Sequence, residues 1–273
     1  MSEVIHRKKR LSSFKLIVLG FAGVILLGAL ILMLPFSSTA GVVTPFNEAL
    51  FTSTSAVCVT GLVVQDTGSY WSAFGQAIIL LLIQIGGLGV VTVAAFFAML
   101  SGRKISLMQR STMQDAISAP KVGGIVRLTR FIVRGTFLIE LIGMIVMLPT
   151  FCGDYGIKGI WMAAFHSVSA FCNAGFSTLT GNLYHPGIRD LYGLQCWIAT
   201  LIILGGIGFP ILFNYGKLVN HKVRNLFYRL TGSSKRMPSH VRIVNTTTRI
   251  VITATLLLLV GGTLLFWLSE NNN

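Results

Sequence analysis

The stretch FTSTSAVCVTG at residues 51–61 decides the fold, because it occurs again as FHSVSAFCNAG at residues 165–175. Six of the eleven aligned positions are identical, and the alignment needs no gap. Each copy lies at the end of an apolar run of about 10–14 residues, which is too short to span a bilayer and is typical of a re-entrant or interfacial helix. A second pair, IGGLG at 85–89 and LGGIG at 204–208, follows the two copies. The chain is therefore interpreted as two copies of one unit.

Five longer apolar stretches surround these short ones and predict membrane spans, since a spanning helix needs about 20 apolar residues. They cover residues 14–34, 73–100, 131–150, 193–213 and 250–268. Only 11% of the residues are charged and the mean hydropathy is +0.75. This composition excludes a water-soluble enzyme and a disordered chain. The expected fold class is an all-α membrane protein of repeated span–pore helix–span units.

The basic residues predict the orientation of the chain in the membrane. Twenty of the 22 lysines and arginines lie in three alternate segments, at residues 1–15, 103–134 and 217–249. The positive-inside rule places these segments, and with them the N-terminus, in the cytoplasm of a multi-pass cell-membrane protein. The formal charge of +14 is then explained by topology and not by nucleic acid, with attraction to anionic membrane lipids as a secondary effect.

Together these patterns divide the chain into two complete repeats and the start of a third. The expected parts are a cytoplasmic N-terminus (1–13), a first repeat (14–100), a basic cytoplasmic linker (101–130), a second repeat (131–218), a second basic linker (219–249) and the first span of a third repeat (250–268).

A short helix followed by x-x-Gly suits a cation filter. In the first copy, Thr44 is expected to cap this helix and Pro45 to occupy its first position. The C-terminal end of such a helix carries about −0.5 elementary charge and would point into the membrane. Backbone carbonyls in the stretch after it can replace the hydration shell of a monovalent cation, and glycine permits the backbone torsions that this requires. Nearby polar side chains are expected to brace the filter by hydrogen bonds: Ser53, Ser55, Thr60, Ser167, Ser169 and Asn173.

Val57-Cys-Val-Thr-Gly-Leu62 and Phe171-Cys-Asn-Ala-Gly-Phe176 resemble the first two filters of the Trk/Ktr/HKT superfamily of potassium transporters. Gly-Arg-Lys-Ile-Ser at 102–106 resembles the segment after the second span of the Ktr-type ion-translocating subunit. The resemblance implies uptake of potassium, with sodium as the alternative, and filter carbonyls as the ion ligands. The implied ion-binding residues are Val59, Thr60, Gly61, Asn173, Ala174 and Gly175, flanked by Val57, Cys58, Leu62, Phe171, Cys172 and Phe176.

The resemblance further implies four repeats around one pore, a homodimer of the full-length protein, and a cytoplasmic nucleotide-binding regulatory partner of the KTN/RCK type. This chain carries two filters, so it is expected to be the N-terminal part of a longer transporter. No cofactor is expected to bind the chain itself, because it has no nucleotide-binding glycine motif.

A membrane-embedded enzyme and a non-transporting truncated fragment are the alternatives. The enzyme would need converging histidine and carboxylate side chains, yet the five histidines are scattered along the sequence, and no catalytic residue is expected. Glu140 in the third span is either a buried hydrogen-bonding group or a residue near the ion path. His166 is expected to pack or to hydrogen-bond, and the glycine clusters are expected to pack more than to act as hinges.

Overall fold

The computed structural model describes residues 13–90, 92–95, 111, 114, 125–208, 211–212, 223–225 and 246–270. Within these ranges every regular element is helical, and Ser38 and Trp71 form one isolated bridge. The α-helices are α1 (Ser13–Leu32), α2 (Phe46–Val57), α3 (Ala73–Leu88), α4 (Ile125–Tyr155), α5 (Lys158–Phe171), α6 (Tyr192–Ile207) and α7 (Thr246–Glu270). Two short 3-10 turns lie at Pro35–Ser37 and Asn182–Tyr184. The all-α fold class is confirmed.

Three helices in the described part of the chain are long and apolar enough to cross a membrane. They are α1, α4 and α7, whereas α3 and α6 are shorter apolar helices. The stretch predicted as one span at 73–100 is divided at Gly89, whose φ of +81° ends α3. Gly208 adopts a φ of +86° just after α6. Both left-handed torsions occur at the third glycine of the clusters, because glycine adopts them without a steric penalty.

The two short helices lie where the repeated sequence predicts them. Helix α2 begins one residue later than expected, so that Pro45 occupies the N-cap position and makes no side-chain cap. The expectation that Thr44 caps α2 is wrong, because its hydroxyl lies 3.1 Å from the phenol oxygen of Tyr70 instead. Helix α3 has a side-chain cap, since the Ser72 hydroxyl accepts a hydrogen bond from the amide of Gly75.

The described residues up to 202 form one compact unit with two buried clusters. The first cluster joins the N-terminal helices to the region of α5, because it includes residues of α1, α2 and α3 together with Phe165, Ala174 and Phe176. The second cluster lies between α4, α5 and α6 and contains Met147 and Phe151. The indole N–H of Trp161 donates to the Gln76 side chain at 2.8 Å and adds a polar link between α5 and α3.

The described residues from 203 onward form a second unit. Its main described element is α7, a helix of 25 residues. Most of its large apolar side chains are exposed in the structure, which suits a helix that faces lipid or another membrane helix.

Candidate functional site

The loops that follow the two short helices have the same backbone conformation. We call residues 58–62 loop 1 and residues 172–176 loop 2. Val59 and Asn173, the second residues of the loops, have φ values of 57° and 59°, although left-handed torsions are uncommon outside glycine. Gly61 and Gly175 have φ values of 76° and 73°. Two non-glycine residues in a strained region at equivalent positions are typical of a functional segment.

Each loop folds back onto the end of its own helix. The amide of Thr60 donates to the carbonyl oxygen of Ser55 at 2.9 Å, and the amide of Ala174 donates to that of Ser169 at 2.7 Å. The C-terminal ends of α2 and α5 therefore point at loops 1 and 2. These ends carry the negative poles of the helix dipoles, so both loops lie in a negative local potential that favours cations.

Loops 1 and 2 lie directly against each other. A Cβ atom built on Gly61 would lie 2.6 Å from the carbonyl oxygen of Ala174 and 3.0 Å from the Cα of Gly175. A Cβ atom on Gly175 would lie 3.2 Å from the Cα of Gly61. The position of Gly61 has no room for a side chain and that of Gly175 is tight, and the positive φ disfavours a side chain at both. The structure thus brings together three of the six residues predicted as ion ligands.

The remaining predicted residues differ in their exposure. Thr60 and Asn173 are exposed, and Val59 is half-buried. Of the flanking residues, Cys58 and Leu62 are exposed and Cys172 is half-buried, whereas the apolar members Val57, Phe171 and Phe176 are buried. The buried apolar residues anchor the loops in the protein core.

The predicted bracing residues fall into two groups. The Thr60 hydroxyl donates to Ser55 Oγ at 2.9 Å, and Ser169 Oγ donates to the carbonyl oxygen of Phe176 at 2.6 Å. These contacts hold loops 1 and 2. Ser53 and Ser167 instead hold the helices, because their hydroxyls donate to backbone carbonyls of the preceding spans. The Asn173 amide reaches the carbonyl oxygen of Phe171 only at 3.5 Å.

The sequence pattern does not mark one further bracing residue, Asn182. Its Nδ2 donates to the carbonyl oxygen of Gly175 at 3.1 Å from the short turn that follows loop 2. Its φ of 56° is left-handed. The repeat contains no equivalent residue, so the sequence offers no signal for it beyond the frequent use of asparagine at such torsions.

The first glycine cluster packs against the end of α2 and against loop 2. A Cβ on Gly86 would overlap the carbonyl oxygen of Val57, the last residue of α2, and one on Gly87 would lie 2.6 Å from the sulfur of Cys172. Helix α3 therefore supports the end of α2 through one glycine and loop 2 through the next. The expected packing role holds for these two glycines, whereas Gly89 interrupts the helix.

Glu140 lies on α4 next to loop 2 and is 5% exposed. Gln84 Nε2 donates to its two carboxylate oxygens at 3.0 and 3.3 Å. The thiol of Cys172 lies 3.8 Å from the same carboxylate. Glu140 therefore connects α3, α4 and loop 2, so it fulfils the hydrogen-bonding role and lies beside a predicted filter segment as well.

A model of the cation transport protein family TrkH matches residues 15–269. The chain belongs to the TrkH family. The expected resemblance to the Trk/Ktr/HKT superfamily is thereby confirmed, and with it the assignment of the chain as a membrane protein. A membrane-embedded enzyme is not favoured.

Several relatives of this TrkH-family chain are named as uptake proteins. The chain is 37% identical over 266 residues to the potassium/sodium uptake protein NtpJ of Enterococcus hirae, covering 97% of this chain and 54% of that protein. It is 39% identical over 217 residues to the Ktr system potassium uptake protein B of Bacillus subtilis (79% of this chain, 48% of that protein). It is 35% identical over 260 residues to the Ktr system potassium uptake protein B of Vibrio alginolyticus (95% of this chain, 52% of that protein). The chain spans about half the length of these relatives.

Proposed function

We propose that this chain forms part of a pathway for uptake of monovalent cations, potassium first and sodium second. The observation that carries the proposal is the contact of Gly61 with Ala174 and Gly175, which brings two loops of equal backbone conformation together at the negative ends of two helices. Carbonyl groups of residues 59–61 and 173–175 would replace water around the cation. The names of the relatives support potassium, and NtpJ adds sodium.

Matched contacts support a division into repeats at residues 14–100 and 131–218, with 250–268 opening a third. Ser53 Oγ donates to the carbonyl of Ile25 at 2.7 Å, and Ser167 Oγ donates to that of Glu140 at 2.6 Å. In each proposed repeat the short helix thus bonds to the first span through the equivalent serine.

Close helix approach also occurs at equivalent glycines. A Cβ on Gly28 would lie 2.5 Å from Ser53 Oγ, and one on Gly143 would overlap Ser167 Oγ. The first span of each proposed repeat therefore needs a glycine where its short helix crosses it, as close packing of membrane helices requires.

The proposed topology has the N-terminus in the cytoplasm of the cell and the segments 35–72 and 151–192 outside. The charge asymmetry supports it, because these two outer segments hold only Lys158 and Arg189 among the 22 basic residues. Helices α2 and α5 would then enter the membrane from outside with their C-terminal ends leading, as a cation filter requires.

We further propose a cytoplasmic regulatory partner of the nucleotide-binding KTN/RCK type and a homodimer of the transporting protein. The name "Ktr system", which two Bacillus subtilis relatives carry, supports a partner component. The basic linkers 101–130 and 219–249 would provide its docking surface, and they lie largely outside the described residues. Any nucleotide would bind the partner, and lipid would surround the spans.

The test measures potassium uptake, with sodium as competitor, in cells that lack their own potassium uptake systems. The protein used is the longest reading frame that carries residues 1–273, referred to below as the parent. We expect the parent to restore potassium uptake. We expect the variants Gly61→Ser and Gly175→Ser to show a lower preference for potassium over sodium than the parent. Gly41→Ser is the matched control, because Gly41 also has a positive φ (67°) but has nothing within 4 Å of its Cβ position. Equal preferences in all three variants would refute the filter assignment.

A further inference from the structure

The His166 side chain lies on the face of α5 that supports the residues just after Gly175. The side chain is buried, with 4% of the residue exposed. Its Nε2 lies 2.8 Å from Ser177 Oγ, and its Nδ1 lies 2.7 Å from the carbonyl oxygen of Met162. The ring stacks on Phe151 with the centroids 5.0 Å apart and the planes inclined by 19°. Both ring nitrogens and one ring face are therefore used.

The hydrogen-bond partners determine which nitrogen carries the proton. The Met162 carbonyl can only accept, so Nδ1 must be the protonated nitrogen and Nε2 of the neutral ring must accept. Ser177 Oγ accepts a hydrogen bond from the amide of Leu179 at 3.0 Å, so its own hydrogen is available for Nε2. A directed series of three hydrogen bonds then runs from Leu179 through Ser177 and His166 to Met162. Each of the three bonds joins a donor to an acceptor.

We propose that His166 is a positioning residue that sets the conformation of loop 2 through Ser177, and that it thereby contributes to ion discrimination. Ser177 lies two residues after Gly175. Ala174 lies one residue before Gly175, and its amide donates a hydrogen bond to the carbonyl oxygen of Ser169. Loop 2 is thus fixed on both sides of its glycine. The inference rests on the proposed filter function and adds a determinant of selectivity that has no contact with the ion.

The equivalent positions around loop 1 lack this brace. By the repeat alignment, Thr52 corresponds to His166 and Val63 to Ser177. The Thr52 hydroxyl is buried and has no hydrogen-bond partner in the part of the chain that the structure describes. Valine offers no polar group in return. The brace is therefore specific to loop 2 and cannot be a general requirement of this helix–loop architecture.

The test compares His166→Phe, Ser177→Ala and the double variant in the parent. Phenylalanine keeps an aromatic ring next to Phe151 but removes both nitrogens, and alanine removes only the hydroxyl. We expect each single variant to lower the ratio of potassium to sodium affinity about tenfold, corresponding to about 1.4 kcal/mol. The double variant should lower this affinity ratio no further than either single variant does, because each single change already removes the hydrogen bond between His166 and Ser177. Thr52→Val is the matched control and should keep the parental ratio.

Amide hydrogen exchange over residues 173–179 of the purified parent gives a second measurement. We expect faster exchange in Ser177→Ala, with unchanged exchange in loop 1. Ser177→Ala also keeps the test available if His166→Phe does not fold, since the serine change is small.

Two outcomes would overturn the inference. One is that both single variants keep the parental ratio of potassium to sodium affinity while Gly175→Ser loses discrimination between the two ions. This result would leave the filter assignment intact but would exclude the role of His166. The other is a double variant whose loss is the sum of the two single losses, which means that His166 and Ser177 act separately. A parental ratio in Gly175→Ser as well would instead contradict the proposed function.

Discussion

Gly61 and Gly175 lie in contact, although 113 residues separate them in the chain. Each has a positive φ, and each would place a Cβ atom against the backbone of the other loop. A contact of this kind requires glycine on both sides, because a side chain on either would separate the loops. The pair therefore explains why the repeated sequence ends in glycine in both copies.

The two glycines are predicted to differ in their tolerance of alanine. A Cβ on Gly61 would lie 2.6 Å from a carbonyl oxygen, whereas one on Gly175 would lie 3.2 Å from a Cα atom. Besides the torsional cost of about 1–3 kcal/mol at each site, Gly61→Ala must move the backbone of loop 2. We expect Gly61→Ala to lower the potassium-to-sodium affinity ratio more than Gly175→Ala, measured by competition uptake. A larger loss of the affinity ratio in Gly175→Ala would show that the contact of Gly61 with Ala174 does not determine discrimination between the two ions.

Gly86→Ala is predicted to destabilise the protein. The new methyl group would overlap the carbonyl oxygen of Val57, and overpacking of this kind costs about 1–3 kcal/mol. Gly23→Ala on α1 is the matched control, because nothing lies within 4 Å of its Cβ position. The thermal midpoint of the purified parent protein should fall for Gly86→Ala and should not fall for Gly23→Ala, because alanine favours a helix interior more than glycine does. Equal midpoints would contradict the close packing of α3 on the end of α2.

Glu140→Ala and Glu140→Gln are predicted to have different effects. Alanine leaves the half-buried amide of Gln84 without its carboxylate acceptor, which costs about 1–3 kcal/mol. Glutamine keeps an acceptor oxygen for that amide, so most of the stability should return. Thermal unfolding of the two purified variants checks this. If both variants lose stability equally, the charge of the carboxylate, and not its hydrogen bond to Gln84, is what the fold requires.

Ser53→Ala and Ser167→Ala are predicted to lose similar amounts of stability. Each removes one hydroxyl that anchors a short helix to the preceding span, with bond lengths of 2.7 and 2.6 Å. A hydrogen bond of this kind contributes about 0.5–1.5 kcal/mol. Thermal midpoints of the two variants should agree within about 1–2 °C, which corresponds to about half a kcal/mol for a domain of 150–250 residues. A loss in only one of them would argue against equivalent repeats.

The topology is tested by labelling of single engineered cysteines from outside intact cells. Val43→Cys lies in the proposed outer segment at a position that is 63% exposed, so an impermeant maleimide should label it. Ser111→Cys lies in the proposed cytoplasmic linker and should be labelled only after the membrane is opened. Both are made in a parent whose native cysteines have been replaced, because Cys58 and Cys196 are exposed. Labelling of Ser111→Cys in intact cells would reverse the orientation.

The sequence by itself determined the features that depend on neighbours in the chain. The positions of α2 and α5, and of the loops that contain Gly61 and Gly175, follow from short apolar runs, from their repetition and from the torsions that glycine permits, which are local properties. The long apolar helices α1, α4 and α7 follow from composition alone. The repeat is visible in the sequence for the same reason, because it consists of the order of residues within two short stretches.

The tertiary structure decided which side chains meet. Thr44 has the residue type of a helix cap, but Tyr70 lies within hydrogen-bonding distance of its hydroxyl once the outer segment folds. The sequence leaves two roles open for the Glu140 carboxylate, whereas the fold places Gln84 against it from 56 positions away in the chain. Such contacts depend on how helices cross, and helix crossing is set by packing of many side chains at once, which no short stretch of sequence encodes.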